Sequence, residues 1–274
     1  MREARAVARE VLQPGEGLFD AALKVEDAIR EHGGEPAFPI NLSSNDEAAH
    51  VTPGIGDSLL IGDDMIKVDI GVHIDGYIAD NAFTVDFTDH PELIKASETA
   101  LARAIKAIKD GVLTGEIGEV IESTILEFGY QPIRNLTGHG LERWIQHSTP
   151  TIPNRKFGRG KKLSSGDVIA IEPFATDGEG LVADRGKGEI FSLSVRRPVR
   201  LPAERKFMDL IEKYKTLPFA RRWIDMEKCD FILSQLTRKG IIREYPVLKE
   251  VKGGLVSQAE HSVIITKKGC EIIT

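Results

Sequence analysis

Two stretches of alternating apolar character meet at Asp75-Gly76, within the segment VDIGVHIDGYIADNAF. Asp-Gly between such stretches specifies a two-residue hairpin turn, because the turns that match strand twist need positive φ. The turn sets the register: Ile74 faces Tyr77, and counting back sets Gly71 against Asp80 and Asp69 against Ala82. Side chains alternate with period two, so Asp69 and Asp80 share one sheet face, diagonal to each other, with Cβ atoms roughly 7 Å apart or closer. Gly71 leaves space beside them. Two carboxylates so placed repel and resist losing water, an arrangement that is costly unless cations neutralise it. Taken alone, acids on a hairpin face can also simply be solvated. Asp75 serves the turn, which accounts for it.

The rest of the chain alternates helices with hairpins. Residues 17–32 read as an amphipathic helix closed by Gly33-Gly34. Residues 91–110 form a second, with Pro91 in the first turn, Gly111 after the end, and a stripe of Leu93, Ala96, Ala100, Leu101, Ala104, Ile105 and Ile108. Residues 116–128 form a third. Strands are predicted at 65–74, 77–87, 167–175, 241–245, 255–265 and 269–273. This order predicts an α+β fold rather than a doubly wound sheet.

Residues 196–243 differ in composition, holding 13 Lys+Arg against 6 Asp+Glu in a chain of net charge −6. The segment reads as helices at 202–215, 219–223 and 226–239 that interrupt the strand-rich C-terminal half, an inserted subdomain at 194–244. It is either a basic surface facing RNA or the ribosome, or a solvated helical face. The chain as a whole is too acidic for a general nucleic-acid or anionic-membrane binder. It has no apolar run of 18 residues, so no transmembrane helix is expected. The N-terminal MREARAVAREV lacks the apolar centre of a signal peptide. Two cysteines, Cys229 and Cys270, make no disulfide framework. A cytoplasmic protein is expected.

Three further residues complete a metal-ligand inventory with Asp69 and Asp80. His139 stands between two glycines in NLTGHGLERW. Glu172, in DVIAIEPFAT, shares a strand face with Val168, Ala170 and Phe174, where a core residue is expected. Glu260, in LVSQAEHSVII, lies on a face with Gln258, Ser262 and Ile264. Four carboxylates and one imidazole form a hard donor set suited to two adjacent divalent ions. Such ions make a nucleophilic hydroxide near neutral pH and polarise a carbonyl. His50 and His147 can supply a proton or hydrogen bond to a tetrahedral intermediate; on spacing alone, His50 is a loop imidazole and His147 a helix-surface one. His32, His73, His90 and His261 are read as structural.

The order Asp-x10-Asp, Gly-His, Ile-Glu-Pro, Gln-x-Glu-His resembles the pita-bread metallopeptidases. The similarity is closest to the type 2 methionine aminopeptidases of the short, archaeal kind. It is carried by AFPINLSSNDEAAHVTP, IKVDIGVHIDGYIADNAFTV, NLTGHGLERW, VIAIEPFAT and YPVLKEVKGGLVSQAEHSVII. The resemblance implies a pita-bread catalytic domain made of residues 1–193 and 245–274, with 194–244 as the helical insert. It implies removal of the initiator methionine before a small second residue, by a hydroxide on two divalent ions (Co, Mn, Fe or Zn). Asp69 would chelate one ion, Asp80 and Glu260 bridge both, and His139 and Glu172 bind the other. Glu172 would also be the general base, His50 and His147 would contact substrate and oxyanion, and Phe38 and Tyr245 would line the methionine pocket. The implied partners are nascent polypeptide N-termini, with RNA or ribosome contact through 196–243, no membrane, and a monomer. Three positions depart from the family pattern: Asn81 for a usual Thr, Gly140 for a longer side chain and Ala259 for an aromatic. The alternatives are an X-Pro peptidase on the same fold, disfavoured by NDEAAH and the insert, and a non-catalytic RNA binder, disfavoured by the intact ligand set.

Overall fold

The computed structural model describes residues 1–274. The hairpin forms in the expected register, Met65–Ile74 against Tyr77–Asp86, with Gly71 opposite Asp80 and Asp69 opposite Ala82. Asp75 and Gly76 hold φ of 49° and 85°, both left-handed as a type I′ turn requires. Glu35–Pro36 and Asn41–Ser44 pair with the other edge of Met65–Ile74. Helices α1 (Arg2–Val11) and α2 (Leu18–Glu31) pack on one face of this sheet, burying Ala8, Leu12, Ala22 and Val25 with Ile66, Val68 and Ile70. Period-two alternation sends Lys67, Asp69 and Gly71 to the opposite face.

The same order of elements then recurs. Helices α3 (Pro91–Ala107) and α4 (Thr114–Glu127) cover a five-stranded antiparallel sheet. Its order is Cys270–Ile272, His261–Ile265, Val168–Ile171, Thr137–Glu142, Ile145–Pro153. The α3 stripe meets Ile117, Ile121 and Ile125 of α4 and Ile169, Ile171 and Val263 of the sheet.

The two halves join where Tyr77–Asp86 runs beside residues 256–265. One direct backbone bond crosses here, from the Glu260 N–H to the Ala82 carbonyl at 2.9 Å. On either side a hydroxyl replaces the direct ladder. Thr84 Oγ1 accepts from the Gln258 N–H at 2.9 Å and donates to the Gln258 carbonyl at 2.8 Å. Ser262 Oγ does the same for Asp80, at 2.9 and 2.8 Å. Each hydroxyl serves as donor and acceptor, so the seam is satisfied while the strands stay apart.

Several elements differ from the sequence reading. Helix α1 was not expected, because Ala4 and Ala8 make a weak apolar signal beside five charged neighbours. The expected strands 167–175 and 255–265 are each broken, into Val168–Ile171 and Phe174–Thr176, and Val256–Gln258 and His261–Ile265. Pro173 has no N–H to continue the ladder. His147 lies on the strand Ile145–Pro153, not on a helix. In the segment 194–244, helix α5 (Pro202–Ile211) stops short of 215 in a 3₁₀ turn. Residues 219–223 form a short strand and a 3₁₀ turn, and helix α6 (Cys229–Arg238) follows. The segment packs an apolar cluster that includes Phe207, Ile211, Phe219, Leu233 and Leu236, together with Phe191 of the strand Ile190–Leu193, which pairs with Phe219–Ala220 and Ile242–Tyr245.

Candidate metal centre and substrate cavity

The break in the two strands creates the site. Phe174 pairs with Gln258 on one side of it and Ile171 with His261 on the other, in one continuous register. Glu172 therefore stands opposite Glu260, and only the Ala259 N–H bonds across, to the Pro173 carbonyl at 3.2 Å. Directly opposed like charges destabilise a sheet. The seam at Ala82 and Glu260 brings this pair beside Asp69 and Asp80. Asp80, His139 and Glu260 hold ligand atoms within 4.8 Å of one another. His139 Nε2 lies 3.5 Å from Glu172 Oε1 and 3.9 Å from Asp80 Oδ2. All five predicted ligands line one cavity of about 390 Å³.

Three observations test whether these residues fit cations. Asp69 Oδ1 and Asp80 Oδ1 are buried without a hydrogen-bond partner. His139 Nδ1 is 3.2 Å from the Gly140 carbonyl; a carbonyl can only accept, so Nδ1 carries the proton and the Nε2 lone pair faces the carboxylates. Burial lowers the His139 pKa to about 4, so the ring is neutral at pH 7. The imidazole lone pair and the carboxylate oxygens converge on one space as the donors that a divalent ion takes. Burial first, then mutual repulsion, raises Asp69, Glu172 and Glu260 well above the usual carboxylate range. Burial raises Asp80 to about 7, moderated by hydrogen bonds from Gln146 and Asp69. The residues fit a cationic group with hard oxygen ligands and one nitrogen.

Without metal, the folded carboxylates keep protons that the unfolded chain has already released. Stability of the metal-free fold therefore falls as pH rises from the ordinary carboxylate range through about 7. For Asp80, raised from 3.8 to about 7, the contribution is on the order of 4 kcal/mol. Metal-stripped protein should lose Tm between pH 5 and 8 relative to a Mn-loaded sample. A pH-independent gap between the two samples would contradict the carboxylate repulsion.

The glycines around His139 have a packing role. A Cβ at Gly138 would lie 2.3 Å from the Ala170 carbonyl oxygen, and one at Gly140 2.2 Å from that of Thr149. Gly140 thus suits the close approach of this chain's own neighbouring strand. Gly71 leaves its space to Phe38, whose ring carbon lies 2.2 Å from where a Cβ would sit. The Asn81 amide donates to the Glu260 carbonyl and lies 3.2 Å from His261 Nδ1. An amide therefore ties the strands of Asp80 and Glu260 where the family pattern has a hydroxyl. Ala259 is buried in the larger apolar cluster.

His50, His147, Phe38 and Tyr245 all line the cavity. The His147 ring meets that of His139 edge-on at 4.5 Å, and His50 meets Tyr245 at 5.3 Å. Burial, then the neighbouring His139, His50 and Arg243, lowers His147 to about 3. Burial likewise lowers His50. His50 has φ of 66°, a left-handed conformation uncommon outside glycine. Its Nδ1 lies 3.1 Å from the Pro246 carbonyl, which leaves Nε2 as an acceptor toward the cavity. Sequence reasoning missed Gln146, whose Nε2 is 3.5 Å from Asp80 Oδ2. Strand parity would have turned it away from His147's face, but register shifts in this hairpin allow both to line the cavity. Arg243, 4.8 Å from the Tyr245 ring, was counted only among the insert's charges.

The profile of "Metallopeptidase family M24" matches residues 1–212. The chain belongs to this family of metallopeptidases and is a hydrolase of the α+β pita-bread fold. It is 47% identical to the methionine aminopeptidase of Archaeoglobus fulgidus, with 100% of this chain and 94% of the relative covered. It is 46% identical to that of Methanocaldococcus jannaschii, over 99% and 94%. Within family M24 it therefore stands with the aminopeptidases, in the type 2, archaeal-like methionine aminopeptidase group. The crystal structure of methionine aminopeptidase from Thermotoga maritima superposes with a TM-score of 0.72 at 25% identity, covering 99% of this chain and 93% of that one. A structure of a thermophilic Arx1 gives a TM-score of 0.84 at 18% identity, over 98% and 86%, a likeness of fold.

Proposed function

We propose that the chain removes the initiator methionine from nascent polypeptides whose second residue is small. The observation that carries this reading is full-length similarity to archaeal methionine aminopeptidases together with an intact five-ligand set in one cavity. Asp69, Asp80, His139, Glu172 and Glu260 would hold two divalent ions. When bound, such ions supply Lewis acidity and a nucleophile at neutral pH. Glu172 takes the proton of the attacking water on its carboxylate and delivers it to the leaving amine. His50, with Nδ1–H committed to Pro246, accepts through Nε2 from a substrate N–H. His147 donates to the oxyanion. Phe38, Phe174 and Tyr245 give the cavity aromatic walls suited to a thioether, and the imidazoles of His50 and His147 restrict the second side chain.

The enzyme releases methionine from Met-Ala-Ser with added Mn or Co, and from Met-Arg-Ser at least about 100-fold more slowly, on the scale that pocket fit allows. Hydrolysis of Xaa-Pro peptides in preference to Met-Ala-Ser would transfer the chain to its X-Pro-cleaving fold relatives. Failure of every metal to support either reaction in folded protein would remove the enzymatic reading.

Residues 1–193 and 245–274 are read as the catalytic domain and 194–244 as the insert, supported by an apolar cluster drawn mostly from the insert. A monomer in the cytoplasm is proposed. No helix is long and apolar enough to cross a membrane. RNA or ribosome contact through the insert would rest on its exposed cations outside ion pairs, Arg197, Arg200, Arg205, Lys206 and Lys228. Arg196, Arg221, Arg222 and Lys239 are held in ion pairs with Glu212, Asp230, Glu26 and Glu204, and Lys215 and Arg243 lie over Trp144 and Tyr245.

A further inference from the structure

A second basic surface lies outside the insert. The loop Arg155-Lys156-Phe157-Gly158-Arg159-Gly160-Lys161-Lys162 carries five cations and no acid in eight residues. Only Lys156 is ion-paired, to Glu119 of α4 at 2.6 Å. Arg155, Arg159, Lys161 and Lys162 face solvent without an acidic partner. Phe157 is 62% exposed at the tip, and the Arg155 guanidinium lies 5.2 Å from its ring centroid. An exposed aromatic ring beside a planar cation is a ready stacking surface.

The loop is held rather than floating. The N–H groups of Thr114 and Gly115, at the start of α4, donate to the carbonyls of Lys161 and Arg159 at 2.9 and 3.2 Å. The Lys161 N–H returns to Thr114 Oγ1 at 3.1 Å, and the Lys156 N–H donates to Glu122 at 2.8 Å. Two glycines in α4 make room for this docking: a Cβ at Gly115 would lie 2.4 Å from the Gly158 carbonyl oxygen, and one at Gly118 2.3 Å from that of Arg155. Glycine weakens a helix, so the seating of the loop comes at the expense of α4. The acids of α4 nearest the loop are already engaged: Glu119 and Glu122 by Lys156, and Glu116 by the Leu113 N–H at 3.1 Å.

We propose that the loop 155–162 is a docking surface for single-stranded RNA. Arg159, Lys161 and Lys162 contact phosphates, and Phe157 with Arg155 stacks on a base. A pinned backbone, unpaired cations and an exposed ring are what sequence-tolerant single-strand recognition needs. A membrane would find one apolar side chain in the loop, and an acidic protein would leave Phe157 without a use.

The test is fluorescence anisotropy of the full chain with an oligouridine 20-mer. Log affinity against log salt should have a slope of roughly −2 to −3, for three to four phosphate contacts. Arg159→Glu with Lys161→Glu and Lys162→Glu should remove binding, and Phe157→Ala should weaken it by roughly tenfold. Arg197→Glu with Arg205→Glu, in the insert, should leave it intact. All variants alter exposed side chains and should keep the wild-type Tm and Met-Ala-Ser turnover. Equal weakening by the insert pair, or no effect of Phe157→Ala, overturns the proposal. So does binding to phosphatidylserine vesicles or polyglutamate in place of RNA.

Discussion

Glu172→Gln lowers turnover of Met-Ala-Ser by about 10²–10⁴-fold, the range ascribed to a positioned acid–base group. The amide keeps the shape of the side chain but cannot take up a proton from water. The same substitution should raise the Tm of metal-stripped protein at pH 8, because it removes one of four mutually repelling carboxylates. Opposite signs in activity and metal-free stability separate a catalytic loss from misfolding. Metal content, turnover and Tm are measured on the same preparations. Hydrolysis retained at wild-type rate would refute Glu172 as the base, while an unchanged Tm would refute the crowding of charge at the site.

Arg222→Ala destabilises the protein by about 3–5 kcal/mol, the cost of leaving a buried partner charge unpaired. The Arg222 and Glu26 side chains are 2% and 1% exposed and are ion-paired with each other. Arg222 also donates to Thr52 Oγ1 at 2.7 Å and to the Pro53 carbonyl at 3.0 Å. Trp223 Nε1 and the Ile40 N–H donate to Glu26 at 2.8 and 3.3 Å. This knot ties the segment 194–244 to α2 and to backbone near two cavity residues, since Ile40 lies two residues after Phe38 and Thr52 two residues after His50. KM for Met-Ala-Ser should therefore rise as well. Denaturant unfolding of Arg222→Ala, Glu26→Gln and Arg222→Met with Glu26→Leu gives the check. The double apolar replacement should recover much of the stability lost in Arg222→Ala. A loss below about 1 kcal/mol in Arg222→Ala would place the pair among ordinary surface ion pairs.

The hairpin was legible because a two-residue turn leaves no freedom in register, and one register decides which faces Asp69 and Asp80 share. Strand parity also turned Glu172 and Glu260 inward, but their strands were read as continuous. The break at Pro173 and its partner Ala259, which sets the two glutamates opposite each other, depends on pairing between segments nearly ninety residues apart. The hairpin Thr137–Glu142 and Ile145–Pro153 was missed because Gly, Thr and Pro replace the usual β-branched alternation. The sequence accordingly places His147 on a helix surface, whereas it lies on a strand. The insert's basic composition was plain, yet its pairing partners Glu26, Glu204, Glu212 and Asp230 were not.

The sequence by itself determined the donor types, the family pattern and the local facing of Asp69 and Asp80, because period-two geometry acts within one hairpin. Only the tertiary structure decided the rest. It turned the His139 Nε2 lone pair toward the carboxylates, set Glu172 opposite Glu260 and joined the two halves through Thr84 and Ser262. It also settled which cations are paired and which are free. Local rules orient a side chain within its own element. The distance between elements is set by the packing of α2 and α4 on their sheets, and that is fixed only when the whole core closes.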